Sequence, residues 1–192
     1  MPPLPPAGGS DRDRPPGSGP GGERHELDAL FSATYEELRR LASSVKRGDR
    51  GHTLSPTALV NEAWLKLAAS RNLNPESPLH FKRIAARAMR QVLVEAARRR
   101  TAQKRGGGAA LVTFDEGLTA GLETADDVLG LDAALEELAR LEPRQALMVE
   151  YRFFGGLDVR ETAEALGVSE ATILRDWRAA RAWLAQALRR QG

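Results

Sequence analysis

The sequence predicts an all-α fold: two small helical domains joined by a flexible linker and preceded by a disordered N-terminal tail. Three observations predict it. Apolar residues recur at three- and four-residue spacing through most of the chain beyond residue 26. The pair Ser-Pro, a helix-start signal, occurs twice, at Ser55-Pro56 and Ser77-Pro78. No segment carries convincing strand alternation, and a stretch of Gly, Thr and acidic residues without steady periodicity splits the helical pattern in two. The predicted boundaries are a tail over 1–24, a first domain over 25–105, a linker over 106–128 and a second domain over 129–192.

The tail is dominated by Pro, Gly and Ser, which bury too little apolar area to offset the entropy of ordering. From Leu27 a stripe of Leu30, Phe31, Leu38, Leu41, Ala42 and Val45 predicts a first helix, ended by Gly48-Asp49-Arg50-Gly51. Ser55-Pro56 starts a second, with Leu59, Val60, Ala63, Trp64 and Leu67 inward. Asn72-Leu73-Asn74-Pro75 breaks it. Ser77-Pro78 starts a long third helix to about Lys104, with Phe81, Ile84, Ala85, Ala88, Val92 and Ala96 inward and Gly106-Gly107-Gly108 as its stop. Beyond the linker, Leu131, Leu135, Leu138 and Leu141 give a fourth helix. Glu142-Pro143 leads into a fifth holding Leu147, Met148, Tyr151 and Phe154 and closed by Gly155-Gly156. A short helix over about 159–166 and a long one from Ser169 towards Arg189 complete the chain.

Composition excludes several chemistries. With no Cys there are no disulfides and no thiolate zinc sites, which fits a reducing cytoplasm. His25, His52 and His80 are far apart, and His25-Glu26 lacks the second His of a zinc-protease helix. No apolar run approaches the roughly 18 residues of a membrane span, and the opening Met1-Pro2-Pro3-Leu4-Pro5-Pro6 lacks a signal peptide's apolar core. The expectation is a soluble cytoplasmic protein with no membrane partner. No phosphate-binding GxxxxGK[ST], Ser/His/Asp set or carboxylate pair stands out. Catalytic residues, cofactor, metal and small-molecule substrate are all expected to be none, and an enzyme is the least expected reading.

Net charge is only +2, but the charges are segregated. Between Lys82 and Arg105 there are nine Lys or Arg and one acid, Glu95, whereas acids gather between Asp115 and Glu142. A basic face of that density suits a polyanion, each neutralised phosphate steepening the salt dependence of binding. The competing reading is a solvated helix. Phe81 and His80 at its start could stack on an unpaired base, although core is the default for Phe81.

The most informative segment is ETAEALGVSEATILRDW, Glu161 to Trp177. Ala163 is small where two helices must cross, and Gly167 sits where the chain leaves the first helix, with positive φ expected. Asp158 caps that helix and Ser169 the next, and Ile173 packs back towards Ala163. This is the helix-turn-helix plan, whose second helix reads base edges in the major groove. Its outward residues are Glu170, Ala171, Leu174, Arg175 and Arg178, with Thr172 at the edge. Arg175 suits a guanine edge, while Arg178 and Arg181 suit phosphates. The alternative is a plain helical hairpin with solvated arginines. On the second helix, Leu65 falls off the apolar stripe beside Asn61 and Glu62, a pattern that can mark a protein-docking surface.

Together these segments resemble bacterial sigma factors of the extracytoplasmic-function group, through Thr57 to Leu67 (TALVNEAWLKL), Phe81 to Gly108 (containing RIAARAMRQVLVEAARRR) and Glu142 to Leu184, in that order. The resemblance covers about residues 26 to 188. It implies that the protein binds core RNA polymerase and directs promoter recognition, DNA melting and transcription initiation without catalysis. It implies polymerase docking through Asn61, Glu62 and Leu65. It implies downstream-element binding through Phe81, Arg83, Arg87, Arg90, Arg98, Arg99, Arg100, Lys104 and Arg105, and upstream-element binding through Glu170, Ala171, Thr172, Leu174, Arg175, Arg178 and Arg181. The partners are then core RNA polymerase and promoter DNA, with an anti-sigma factor left open. Leu174 stands where such proteins usually place Lys, and Ala171 is smaller than the polar residue often found there; both reduce polar readout. A free-standing helix-turn-helix regulator would need a dimer interface or effector domain, which the first hundred residues do not resemble. An arginine-rich RNA-binding protein would be indifferent to promoter sequence. The reading requires two separable halves with accessible arginines.

Overall fold

In the computed structural model, residues 20–45, 55–70, 73, 75–103 and 124–191 are described, and they form helices joined by turns. The order is α1 (Pro20–Val45), α2 (Pro56–Ala68), α3 (Pro78–Gln103), α4 (Ala125–Leu141), α5 (Pro143–Phe153), α6 (Val159–Leu166) and α7 (Glu170–Gln191). The greater part of the tail, the Gly48–Gly51 stop, the Gly106–Gly108 stop and most of the linker lie outside the described residues.

Local chemistry sets the helix starts. Ser55 is extended, its hydroxyl accepts from the Ala58 N–H, and Pro56 follows at the first helical position. Ser77 likewise accepts from His80 N–H at 3.1 Å. Two boundaries differ from the sequence reading. Helix α1 begins at Pro20, inside the stretch assigned to the tail. Helix α4 begins at Ala125, inside the stretch assigned to the linker, because Thr124 and Asp127 close a reciprocal capping box there.

The N-terminal half packs α1 on α2 and α2 on α3. Phe31 of α1 stacks on Trp64 of α2 at 4.4 Å between ring centroids, so Trp64 serves packing. In the C-terminal half, α4, α5 and α7 enclose Leu131, Leu135, Leu138, Met148, Val149, Ile173 and Leu184, all essentially inaccessible to water. Leu141, expected on the inward stripe of α4, is instead 60% exposed. The chain turns at Glu142, and the last residue of the helix is carried away from the core.

The two halves do not stand apart. Helix α3 is buried on two sides, against α1 and α2 and against α4, α5 and α6. The predicted stripe of Phe81, Ala85, Ala88, Val92 and Ala96 is buried as expected, but so are Ala86, Met89, Leu93, Val94 and Ala97. Ile84, placed on that stripe, is only half-buried. The small side chain of Ala86 lets the other half approach closely. A Cβ on Gly155, in the turn after α5, would lie 2.8 Å from Ala86 Cβ and 2.6 Å from the Tyr151 carbonyl oxygen. Only glycine fits that crossing.

Candidate nucleic-acid interfaces

The turn between α6 and α7 has the geometry expected of a helix-turn-helix. Asp158 and Glu161 form a capping box at the start of α6, with Asp158 Oδ1 accepting from Glu161 N–H at 2.7 Å. Helix α6 ends at Gly167, φ +64°, whose left-handed backbone turns the chain. Ser169 Oγ accepts from the Thr172 N–H and so opens α7. Ala163 and Ile173 are both buried at the crossing.

This leaves Glu170, Ala171, Leu174, Arg175 and Arg178 exposed on α7, with Thr172 and Arg181 partly so. The Arg175 side chain is 72% exposed, and its Nε lies 3.6 Å from Asp176 Oδ1. Two contacts not foreseen in the sequence hold this helix. Arg144, at the start of α5, donates to the buried carboxylate of Asp176 through Nε at 3.1 Å and a terminal nitrogen at 2.8 Å. The buried Arg152 guanidinium lies 4.5 Å from the ring centroid of Trp177. Burial lowers the Arg152 pKa, partly opposed by the charge of Asp158. These contacts fix α7 on α5, so the outward face is presented by a rigid support.

The basic helix is a different surface. Arg90 is largely enclosed, its side chain 17% exposed. Its Nε donates to Asp132 Oδ1 at 3.0 Å, one terminal nitrogen to Glu150 Oε2 at 2.9 Å, and the other to the Asp132 carbonyl at 3.3 Å. Arg87 pairs with Glu150 at 3.6 Å and Arg98 with Asp132 at 3.5 Å. Arg83 Nε donates to the Tyr151 hydroxyl at 3.3 Å. Lys82, buried, bridges Glu37 of α1 and Glu161 of α6, each at 2.7 Å. Burial alone would lower its pKa, but the hydrogen bonds to Glu161 and Glu37 outweigh that and raise it above its ordinary 10.5. Arg99 points the other way, towards Glu62 at 3.8 Å. Arg100 is partly buried and engaged. Lys104 and Arg105 lie outside the described residues.

Phe81 requires a correction. Its ring has 0% exposure and belongs to the core, so it offers no stacking surface to a base. It lies on the inward stripe of α3 with Ala85, Ala88 and Val92, all buried, which is why packing claims it. The half-buried His80 instead accepts from the Glu76 N–H through Nδ1.

On α2, Leu65 is 66% exposed, beside exposed Asn61 and half-buried Glu62. Lys66 pairs with Glu95 of α3, tying the two helices together below that surface. No helix among the described residues is long and apolar enough to cross a membrane.

No match was found among curated proteins or among solved structures. The family model described as ECF sigma factor matches residues 20–190, from the first turn of α1 to the last turn of α7. That family comprises non-catalytic transcription initiation factors that bind RNA polymerase and confer promoter specificity. With an all-helical fold and a capped helix-turn-helix inside the matched span, the chain belongs to the ECF sigma factor family.

Proposed function

We propose that this chain docks on core RNA polymerase through Asn61, Glu62 and Leu65 and uses two DNA-binding modules, residues 25–105 and 129–192, on separate promoter elements. The α6–α7 unit reads the upstream element through Glu170, Ala171, Thr172, Leu174 and Arg175, with Arg178 and Arg181 on phosphates. Helix α3 holds the downstream element through Arg83, Arg87, Arg90, Arg98, Arg99 and Arg100, with Lys104 and Arg105 beyond it. Unpaired bases bind this module better than paired ones, so binding energy shifts the duplex towards melting.

The observation that carries this reading is the rigidly supported, outward basic face of α7 within a family match over residues 20–190. Base contacts specify and phosphate contacts position. Arg175 is therefore assigned to selectivity and the arginines further along α7 to affinity. The exposed Leu65 supports docking, since a large apolar side chain gains from being covered.

The test is co-purification with bacterial core polymerase together with promoter-specific transcription in a reconstituted system. Both are expected. DNA binding without polymerase association would instead fit a free-standing regulator. Affinity for structured RNA with no promoter preference would fit an RNA-binding protein.

A further inference from the structure

We infer that Leu174 is a specificity-determining residue of α7, packing on the C5-methyl group of a thymine next to the base pair that Arg175 contacts. The inference rests on the proposed reading of DNA by α7 and names the base chemistry that the middle of its outward face selects.

Three large apolar side chains are exposed among the described residues: Leu65, Leu141 and Leu174. Leu65 belongs to the proposed docking surface, and Leu141 ends α4 where the chain turns. Leu174, 44% exposed, stands in the middle of the outward face of α7, between Ala171 one turn earlier and Arg175 beside it. Whereas α3 meets acids across the seam between the two halves, this face of α7 stands in water. Leu174 does not serve the core. Ile173 and Trp177, at 0% and 8% exposure, supply the buried side of the same helix. A leucine so placed gains only when a partner covers it.

The polar groups around it limit what that partner offers. The Thr172 hydroxyl is engaged with Ser169 Oγ at 2.9 Å, within the cap. Asp176 is buried on Arg144 and gives the face no acceptor. The first turns of α7 therefore present one carboxylate, Glu170, and one guanidinium, Arg175, with apolar Ala171 and Leu174 between them. In the major groove, guanine, adenine and cytosine show hydrogen-bonding atoms, and thymine alone adds a methyl group. A polar base edge pressed against Leu174 loses water and gains no partner. A thymine methyl buries apolar surface on both sides of the contact. Ala171 is too short to hold the base pair away, so the longer Leu174 reaches it.

The test gives the full chain, assembled with core polymerase, a pool of promoter duplexes randomised across the upstream element, and sequences the bound fraction. A T·A pair beside a G·C pair is expected among the selected sequences. The selected duplex is then made with deoxyuridine in place of that thymine, which removes the methyl and leaves base pairing intact. The assembly is expected to bind it about fourfold more weakly. With Leu174→Ala, the two duplexes are expected to bind equally, and circular dichroism checks that the variant keeps its helix. Deoxyuridine bound as well as thymine overturns the inference, and so does an undiminished preference for thymine in the folded variant. Weaker association of Leu174→Ala with core polymerase in the absence of DNA makes this side chain a protein contact and overturns it too. A selected upstream sequence without that thymine overturns this inference alone. Selection of no upstream sequence at all overturns the reading of DNA by α7 along with it.

Discussion

Helix α7 and helix α3 are both rich in arginine, yet the structure treats them in opposite ways. On α7 the arginines stand in water, and the acid beside them, Asp176, is turned inward to Arg144. On α3 the arginines are met by acids from another part of the chain, and Arg90 is nearly enclosed. An arginine count therefore does not identify an available polyanion site. What matters is which donors remain unsatisfied after folding. The outward face of α7 is open as it stands, whereas most of the arginines of α3 already have partners within the chain.

Substitutions on the two helices test this contrast. The largest effect is expected from Arg90→Ala, which takes the nearest donors from Asp132 and from buried Glu150, leaving only Arg98 and Arg87 at 3.5 and 3.6 Å, and should cost about 3 kcal/mol of stability in thermal unfolding. A loss near zero would mean that the seam is not formed in solution. Gly155→Ala should cost about 2 kcal/mol, because the new Cβ meets backbone at 2.6 Å and Ala86 at 2.8 Å. It should also widen the distance between dyes placed on α3 and α4. Arg175→Ala is the contrasting case. Its side chain is 72% exposed, so stability should change by less than about 0.5 kcal/mol. Promoter discrimination should fall by about 1–2 kcal/mol in competition binding, while affinity for random DNA stays near the parent value. Equal weakening on all sequences would remove Arg175 from base readout. Leu65→Glu should reduce polymerase affinity with helical content intact, and unchanged affinity would count against the α2 docking face.

The smallest effect concerns pH. The folded pKa of Lys82 lies above its ordinary 10.5, so its contribution is fully present below 10.5 and is lost as pH rises through the folded value. The packing of α3 against α1 and α6 should therefore not weaken through Lys82 at neutral pH. Loosening attributable to this group belongs to strongly alkaline solution, and Lys82→Met should abolish that alkaline component in a pH series of dye separation.

Much of the fold was legible because its signals are local. Ser55-Pro56, Ser77-Pro78, Asp158 and Gly167 each mark a helix end through chemistry within four residues. The stripe on α2 and the outward face of α7 follow from spacing alone. The seam between the halves was not legible. Its ion pairs join residues 42, 60 and 79 positions apart, and no periodicity records such pairings. On α3, Ala86, Met89, Val94 and Ala97 sit among the arginines and read as gaps in a basic face. They are a second packing surface, shaped for another helix because most of them are small. Phe81 followed the same logic, its place on the inner stripe deciding its role. The Thr124–Asp127 box is a local signal too, but it stands in a segment whose Gly, Thr and acidic composition is that of a linker.

The most direct measurement is transcription from mapped promoters by purified core RNA polymerase with and without the chain. Discrete, promoter-specific starts are expected that appear only when the chain is added and that shift or fade with Arg175→Ala. Absence of any complex with core enzyme, or starts that do not depend on the chain, would contradict it.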